Sequence, residues 1–271
     1  EMCGRDWSSD VCSSDLTGPG SQRVGPLWRW LCLRLGSGPI PARLWRLSST
    51  VEIHQHPSPN CGPRRDGLIA RYVVLHYTAM TSAEAAIERL CDPSSEVSAH
   101  YVICKTGRIT QLVGEGMRAW HAGAGEWQGL TDINSRSIGI ELDDDGQGPF
   151  TEPLMASLEE LLGTILRGWD IPPQNVLGHS DMAPGRKFDP GPWFDWVRLE
   201  ALGLAGRRGA DFAPGYPNLA DFARLARDAG YTADADAETL LAAVRLRYRS
   251  FKSGPIEPDD YTPIGHTAFW T

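Results

Sequence analysis

His76, His179 and Asp189 are side chains able to hold a divalent metal, and each stands where an extended or punctuated segment ends: "VVLHYT", "VLGHSD" and "RKFDPG". Two imidazoles and one carboxylate leave a fourth tetrahedral position open, the ligand count of a catalytic zinc site rather than a closed structural one. A metal held in that way activates water at neutral pH. Taken singly, a strand-end histidine is more often a surface or satisfied core residue, and no HExxH spacing supports zinc here. Glu141 shifts the balance. In "SIGIELDDDG" alternation places Ser137, Gly139 and Glu141 on one face and Ile138, Ile140 and Leu142 on the other. A carboxylate on so apolar a strand is costly unless paired or used, so Glu141 is a candidate general base whose pKa burial would raise. The competing assignment is an ion pair with an arginine. Asp143, Asp144 and Asp145 read as a solvated, turn-forming run. Lys187, just ahead of Asp189, can stabilise the oxyanion formed when water attacks a carbonyl, or simply solvate its loop.

These residues need a scaffold. "ARYVVLHYT" is β-branched and aromatic and reads as a buried strand, preceded by a Pro/Gly-rich lead-in from His56 to Gly67. "SAEAAIERLC" reads as a helix capped by Ser82, with Ala86, Ile87 and Leu90 on one face. "SAHYVIC" and "GRITQLV", joined through Lys105-Thr106-Gly107, read as a hairpin. "TEPLMASLEELLGTILRGW" is the clearest helix: Thr151 can cap it, Pro153 fits its first turn, and Leu154, Leu158, Leu161, Leu162 and Ile165 form its apolar stripe. "NVLGH" is a short strand running into "VLGHSDMAPGRKFDPGPWFDW", a stretch so rich in Gly and Pro that neither helix nor strand is expected in it. The fold class is therefore α/β, a central sheet flanked by helices, mixed because of the hairpin. After residue 215, "NLADFARLARDAGY" and "DAETLLAAVRLRYRSF" give two short amphipathic helices, too few for a core of their own, so they should lean on the main domain.

The 271 residues carry a net charge of -8, with 41% hydrophobic and 22% charged residues. Those proportions suit an ordinary globular protein, and the acidic balance argues against a nucleic-acid partner. No apolar run is long enough for a membrane span. The six cysteines show neither CxxC pairs nor a disulfide framework and read as free thiols, favouring a reducing compartment. Residues 1–16, "EMCGRDWSSDVCSSDL", resemble the translated read-through of a sequencing-library adapter and are set aside. Residues 17–53 are uncertain: "LWRWLCLRLGSGPIPARLWRL" fits a degraded signal, a short surface helix or upstream sequence read in frame. The cellular address stays open, with the cytoplasm favoured over the periplasm or outer membrane.

Taken in order, "VVLHYTAM", "VSAHYVI", "GRITQLV", "RAWHAG", "SIGIELDDDG" and "GHSDMAPGRKFDPGPWFDW" resemble the zinc-dependent N-acetylmuramoyl-L-alanine amidases, whose fold is shared by peptidoglycan recognition proteins and phage amidase lysozymes. The resemblance spans about residues 54–200 and implies a catalytic domain over 54–205, followed by a helical region at 215–271 similar to a shortened peptidoglycan-binding module. It implies one zinc ion on His76, His179 and Asp189, Glu141 as general base and then acid, and Lys187 as oxyanion stabiliser. It further implies hydrolysis of the amide between N-acetylmuramic acid, or its 1,6-anhydro form, and L-alanine, with peptidoglycan fragments or muropeptides as partners and a monomeric enzyme. His121 should line the groove with Trp120 supporting it, or both should pack. Asn134 should bond a sugar or peptide group or shape a turn, and His100 should face a structural partner. His54, His56 and His266 carry no expected role. The alternative function is a module that grips muropeptide without cutting it. Such relatives typically lack a zinc ligand, whereas His76, His179 and Asp189 are all present here.

Overall fold

A computed structural model describes residues 52–207, 209 and 216–264, all of them within one of the two compact units into which the chain divides. The adapter-like stretch, the Trp/Leu/Arg-rich stretch and His266 lie outside the described residues.

Six strands form the main sheet. In chain order they are β1 (Ile53–Gln55), β3 (Tyr72–Tyr77), β4 (Tyr101–Ile103), β5 (Ile109–Gln111), β7 (Ser137–Leu142) and β8 (Val176–Gly178), while β2 (Cys61–Pro63) and β6 (Met117–Ala119) pair separately. The spatial order is β1-β5-β4-β7-β3-β8. β3 lies parallel to β7 and β8, β4 is parallel to β7, and β5 returns antiparallel to β4 as the expected hairpin, so the sheet is mixed. The supposed lead-in is itself partly strand, since Cys61–Pro63 pairs with β6, and just ahead of it Ile53–Gln55 joins the sheet parallel to β5; neither segment is long enough to show an alternation.

The helices are α1 (Ala83–Cys91), α2 (Ile133–Arg136), α3 (Glu152–Trp169), α4 (His179–Met182), α5 (Trp196–Ala201), α6 (Leu219–Asp228) and α7 (Ala237–Tyr248). α3 lays Leu154, Leu158, Leu161, Leu162 and Ile165 against Val73, Leu75, Ile138, Ile140 and Leu142, which closes one face of the sheet. Ser82 caps α1 through the Ala85 N–H, as expected. Thr151 does stand at the N-cap of α3, but its hydroxyl donates to the Lys105 carbonyl and caps nothing.

The opposite face is shared. α1 covers Val102 with Ala83 and Leu90, while Phe222 and Ala226 of α6 and Leu240 and Val244 of α7 bury themselves with Tyr72, Val74 and Leu177. The C-terminal helices thus complete the sheet's core. Among the described residues no helix is long and apolar enough to cross a membrane.

The aspartate run corrects the sequence expectation. Asp143 and Asp144 are buried and only Asp145 is exposed. Asp143 accepts from the Lys105 N–H and Asp144 from the Gly146 N–H. A turn tightened by its own side chains need not be solvated.

Candidate metal centre and catalytic site

The site lies at the carboxyl ends of the parallel strands β3, β7 and β8, where open α/β sheets bind ligands. His76 is near the end of β3, and its register partner on β7 is Glu141, so the two side chains leave the same face side by side. β8 passes directly into α4, whose first residue is His179. A four-residue helix therefore interrupts the stretch in which the sequence suggested none. The loop then returns through Lys187 to Asp189, whose carbonyl accepts from the Ser180 N–H at 3.0 Å.

Three atoms converge there. His76 Nδ1 lies 2.8 Å from Asp189 Oδ2 and 3.0 Å from His179 Nδ1, and His179 Nδ1 lies 3.0 Å from the same oxygen. All three residues are buried. The Ala122 carbonyl, 2.9 Å from His179 Nε2, can only accept, so Nε2 carries a proton and Nδ1 is the nitrogen that offers a lone pair when the ring binds a metal. That lone pair faces a carboxylate oxygen at 3.0 Å. Two acceptors so placed attract only with a cation between them. The donor set of two imidazole nitrogens and one carboxylate oxygen fits a catalytic zinc, and the carbonyl behind His179 is the outer support such ligands use. Burial and the neighbouring His179 lower the His76 pKa to about 4, keeping its ring neutral. Burial would raise the Asp189 pKa, but His179 and His76 outweigh it and hold the carboxylate ionised.

Glu141 is different in kind. It is 1% exposed, and neither carboxylate oxygen has a hydrogen-bond partner. The ion pair with an arginine is not formed. Burial first, and the Asp189 charge second, push its pKa well above the usual range, while Lys187 pulls the other way. The Lys187 charge is felt at His76 too, which brings the ammonium into the same electrostatic neighbourhood.

His121, Trp120 and Asn134 do not form an open groove wall. His121 is 4% exposed, with its ring over Gly139, where a Cβ would come within 2.4 Å of the imidazole. Its Nδ1 lies 3.0 Å from His76 Nε2. The side-chain oxygen of Asn134 accepts from the N–H groups of His121 and Ala122 at 3.0 and 2.8 Å, so it shapes the turn. Trp120 is half-buried and donates its backbone N–H to Ser98. His100 has structural partners, as expected: it accepts from the Gly139 N–H and donates to the Met117 carbonyl. His54 lies in β1.

Sequence reasoning missed Asp181, Arg247 and Tyr231. Asp181 in α4 accepts from Gly178 N–H at 2.8 Å, Arg247 Nη1 at 2.5 Å and the Tyr231 hydroxyl at 2.8 Å. Arg247 Nη2 also donates to the Val176 carbonyl at 3.1 Å. The available signal was Arg247 following Leu240 and Val244 along one helical stripe, a charge where only apolar residues are cheap.

Residues 66–192 match the N-acetylmuramoyl-L-alanine amidase family. The chain is 46% identical over 103 residues to the 1,6-anhydro-N-acetylmuramyl-L-alanine amidase AmpD of Haemophilus influenzae, an alignment covering 38% of this chain and 56% of that protein. It thus spans little more than half of that relative. It is 34% identical over 180 residues to the AmpD of Salmonella typhimurium, covering 60% of this chain and 94% of that one. The fold is similar to the solved complex of the Escherichia coli amidase AmiD with anhydro-N-acetylmuramic acid-L-Ala-D-gamma-Glu-L-Lys, at 29% identity and a TM-score of 0.66, over 78% of this chain and 91% of that one.

Proposed function

Because this chain belongs to the N-acetylmuramoyl-L-alanine amidase family, we propose that it hydrolyses the amide between the lactyl group of N-acetylmuramic acid and L-alanine of the stem peptide. The 1,6-anhydro sugar is included, on the support of the relatives' names and the substrate held by the E. coli amidase. The process served is cell-wall turnover or recycling. The observation that carries this reading is the convergence of His76, His179 and Asp189 beside a buried carboxylate, Glu141, that has no partner.

His76, His179 and Asp189 would hold one zinc ion, which when bound polarises a carbonyl and acidifies water. Glu141 takes the proton of the attacking water and returns it to the departing amine. Its isolation raises its proton affinity toward what both transfers need. Lys187 offsets the negative charge that develops on the carbonyl oxygen. The new carboxylic acid then gives up its own proton and the freed amine takes one up, and a carboxylate facing an ammonium does not recombine at neutral pH.

Incubating the purified full chain with anhydromuropeptide should release free stem peptide, and a chelator should abolish the release until zinc is restored. Activity that survives complete metal removal would overturn the mechanism. A zinc-loaded chain that binds the muropeptide without cutting it would be a recognition module.

A further inference from the structure

Ser137 lies on the Glu141 face of β7, at its far end, and touches no member of the metal-binding trio. Its hydroxyl donates to the Ile133 carbonyl at 2.6 Å, and a carbonyl can only accept, so that proton is committed. His121 Nε2, 3.1 Å from the same oxygen, must then be the donor of its pair. A neutral His121 protonated at Nε2 has its lone pair on Nδ1, 3.0 Å from His76 Nε2, so His76 donates there. The remaining nitrogen of His76, Nδ1, is left as a lone pair at the metal centre. Every group in the chain is buried, so water does not compete. Reversing the polarity would set two lone pairs against each other at the Ser137–His121 link. Gly139 makes the relay possible, since a side chain there would occupy the space of the His121 ring.

Resting on the zinc reading above, we infer that Ser137 and His121 are positioning residues, a buried relay that fixes His76 in the tautomer able to bind the metal. Without the Ser137 hydroxyl, His121 is free to carry its proton on Nδ1. His76 then accepts at Nε2 and donates from Nδ1 to Asp189, a satisfied arrangement that a metal must undo.

The test uses the full chain and Zn2+ in competition with a chelator. Ser137→Ala should weaken zinc binding on the order of 10- to 100-fold, the usual cost of losing such support. Ser135→Ala removes a buried hydroxyl outside the relay, one that accepts from the Arg65 N–H, and should leave the affinity unchanged. Ser137→Thr keeps the hydroxyl and should restore it. Imidazole 15N spectra of the metal-free protein should place the protons of His76 and His121 on Nε2 and show them moving to Nδ1 in Ser137→Ala. Unchanged zinc affinity in Ser137→Ala, an equal loss in Ser135→Ala, or a wild-type His76 protonated at Nδ1 would each overturn the relay. If the relay behaves as described but the loaded chain cleaves no muropeptide, only the amidase reading falls. If the chain is an active amidase and Ser137→Ala binds zinc like wild type, only the relay falls.

Discussion

Glu141 and Asp181 are both buried carboxylates within the same fold, and their surroundings could hardly differ more. Asp181 is surrounded by donors: a backbone N–H, a guanidinium and a phenol. Glu141 has none. A buried charge without partners is strongly disfavoured, so a fold that keeps one has a use for its proton affinity. A charge met by three donors serves architecture. Asp181 binds α4, and hence the turn bearing His179, to Arg247 of α7 and to Tyr231 between α6 and α7. The contrast separates what the molecule does from what holds it in place.

Replacing Glu141 with glutamine tests the first half. E141Q keeps the volume and removes the base, and muropeptide cleavage should fall about 10²- to 10⁴-fold in kcat. Stability should move the other way. A carboxyl whose folded pKa is raised contributes stability that is present below its unfolded pKa and lost as pH rises through the folded value. Metal-free E141Q should therefore be more stable than wild type at neutral pH, with the gap closing as the pH falls to the ordinary 4.5. Denaturant unfolding of both proteins across that range checks the sign. A Glu141 that stabilises the neutral protein would mean that a partner stands beside it after all.

Arg247→Met tests the second half. Removing one member of a buried pair leaves the other charge uncompensated, at a cost of about 3–5 kcal/mol. The arginine also stacks at 4.0 Å on Trp196, a contact that methionine only partly replaces. The expected result is a large fall in unfolding free energy with a much smaller change in kcat for the folded, zinc-loaded protein. An Arg247→Met protein as stable as wild type would erase the distinction drawn above.

Much of this could be read in the sequence, and what could not has a physical pattern. β3 and β7 were legible because their apolar runs and alternation are local, and His76 and His179 because they stand at the ends of β3 and β8; Asp189, on the loop after α4, was legible only through the Gly/Pro-rich segment that carries it. β1 and β2 were not, since three-residue strands owe their existence to partners 54 to 58 residues away along the chain. Ser137 was placed on the correct face, yet its task is set by an imidazole from the Trp120–Ala122 turn that no spacing predicts. For His121 the resemblance left a groove wall or packing open; the missing side chain of Gly139 lets the ring sink. Asp143 and Asp144 were read as solvated because three charges in a row usually are. A backbone N–H group reaches one oxygen of each instead. Polar residues were hardest to place wherever their partners came from far along the chain.

Tyr231→Phe is the finest probe of the contrast. It deletes one hydroxyl and leaves the ring in its edge-on contact with Trp127 at 4.8 Å. A hydrogen bond to a charged group contributes about 1.5–3 kcal/mol, so the loss should be smaller than for Arg247→Met. The two donors reach different oxygens of one carboxylate, the phenol on Oδ1 and the guanidinium on Oδ2. Each also neutralises the need for the other: once Arg247 is gone, the carboxylate can protonate or admit water, and the phenol then meets a weaker acceptor. The double variant should accordingly lose less than the sum of the single variants, with a coupling in the range of about 0.5–3 kcal/mol seen for residues in one network. Strict additivity would mean that Tyr231 and Arg247 stabilise separate parts of the fold, and that the C-terminal helices do not grip the His179 turn through Asp181.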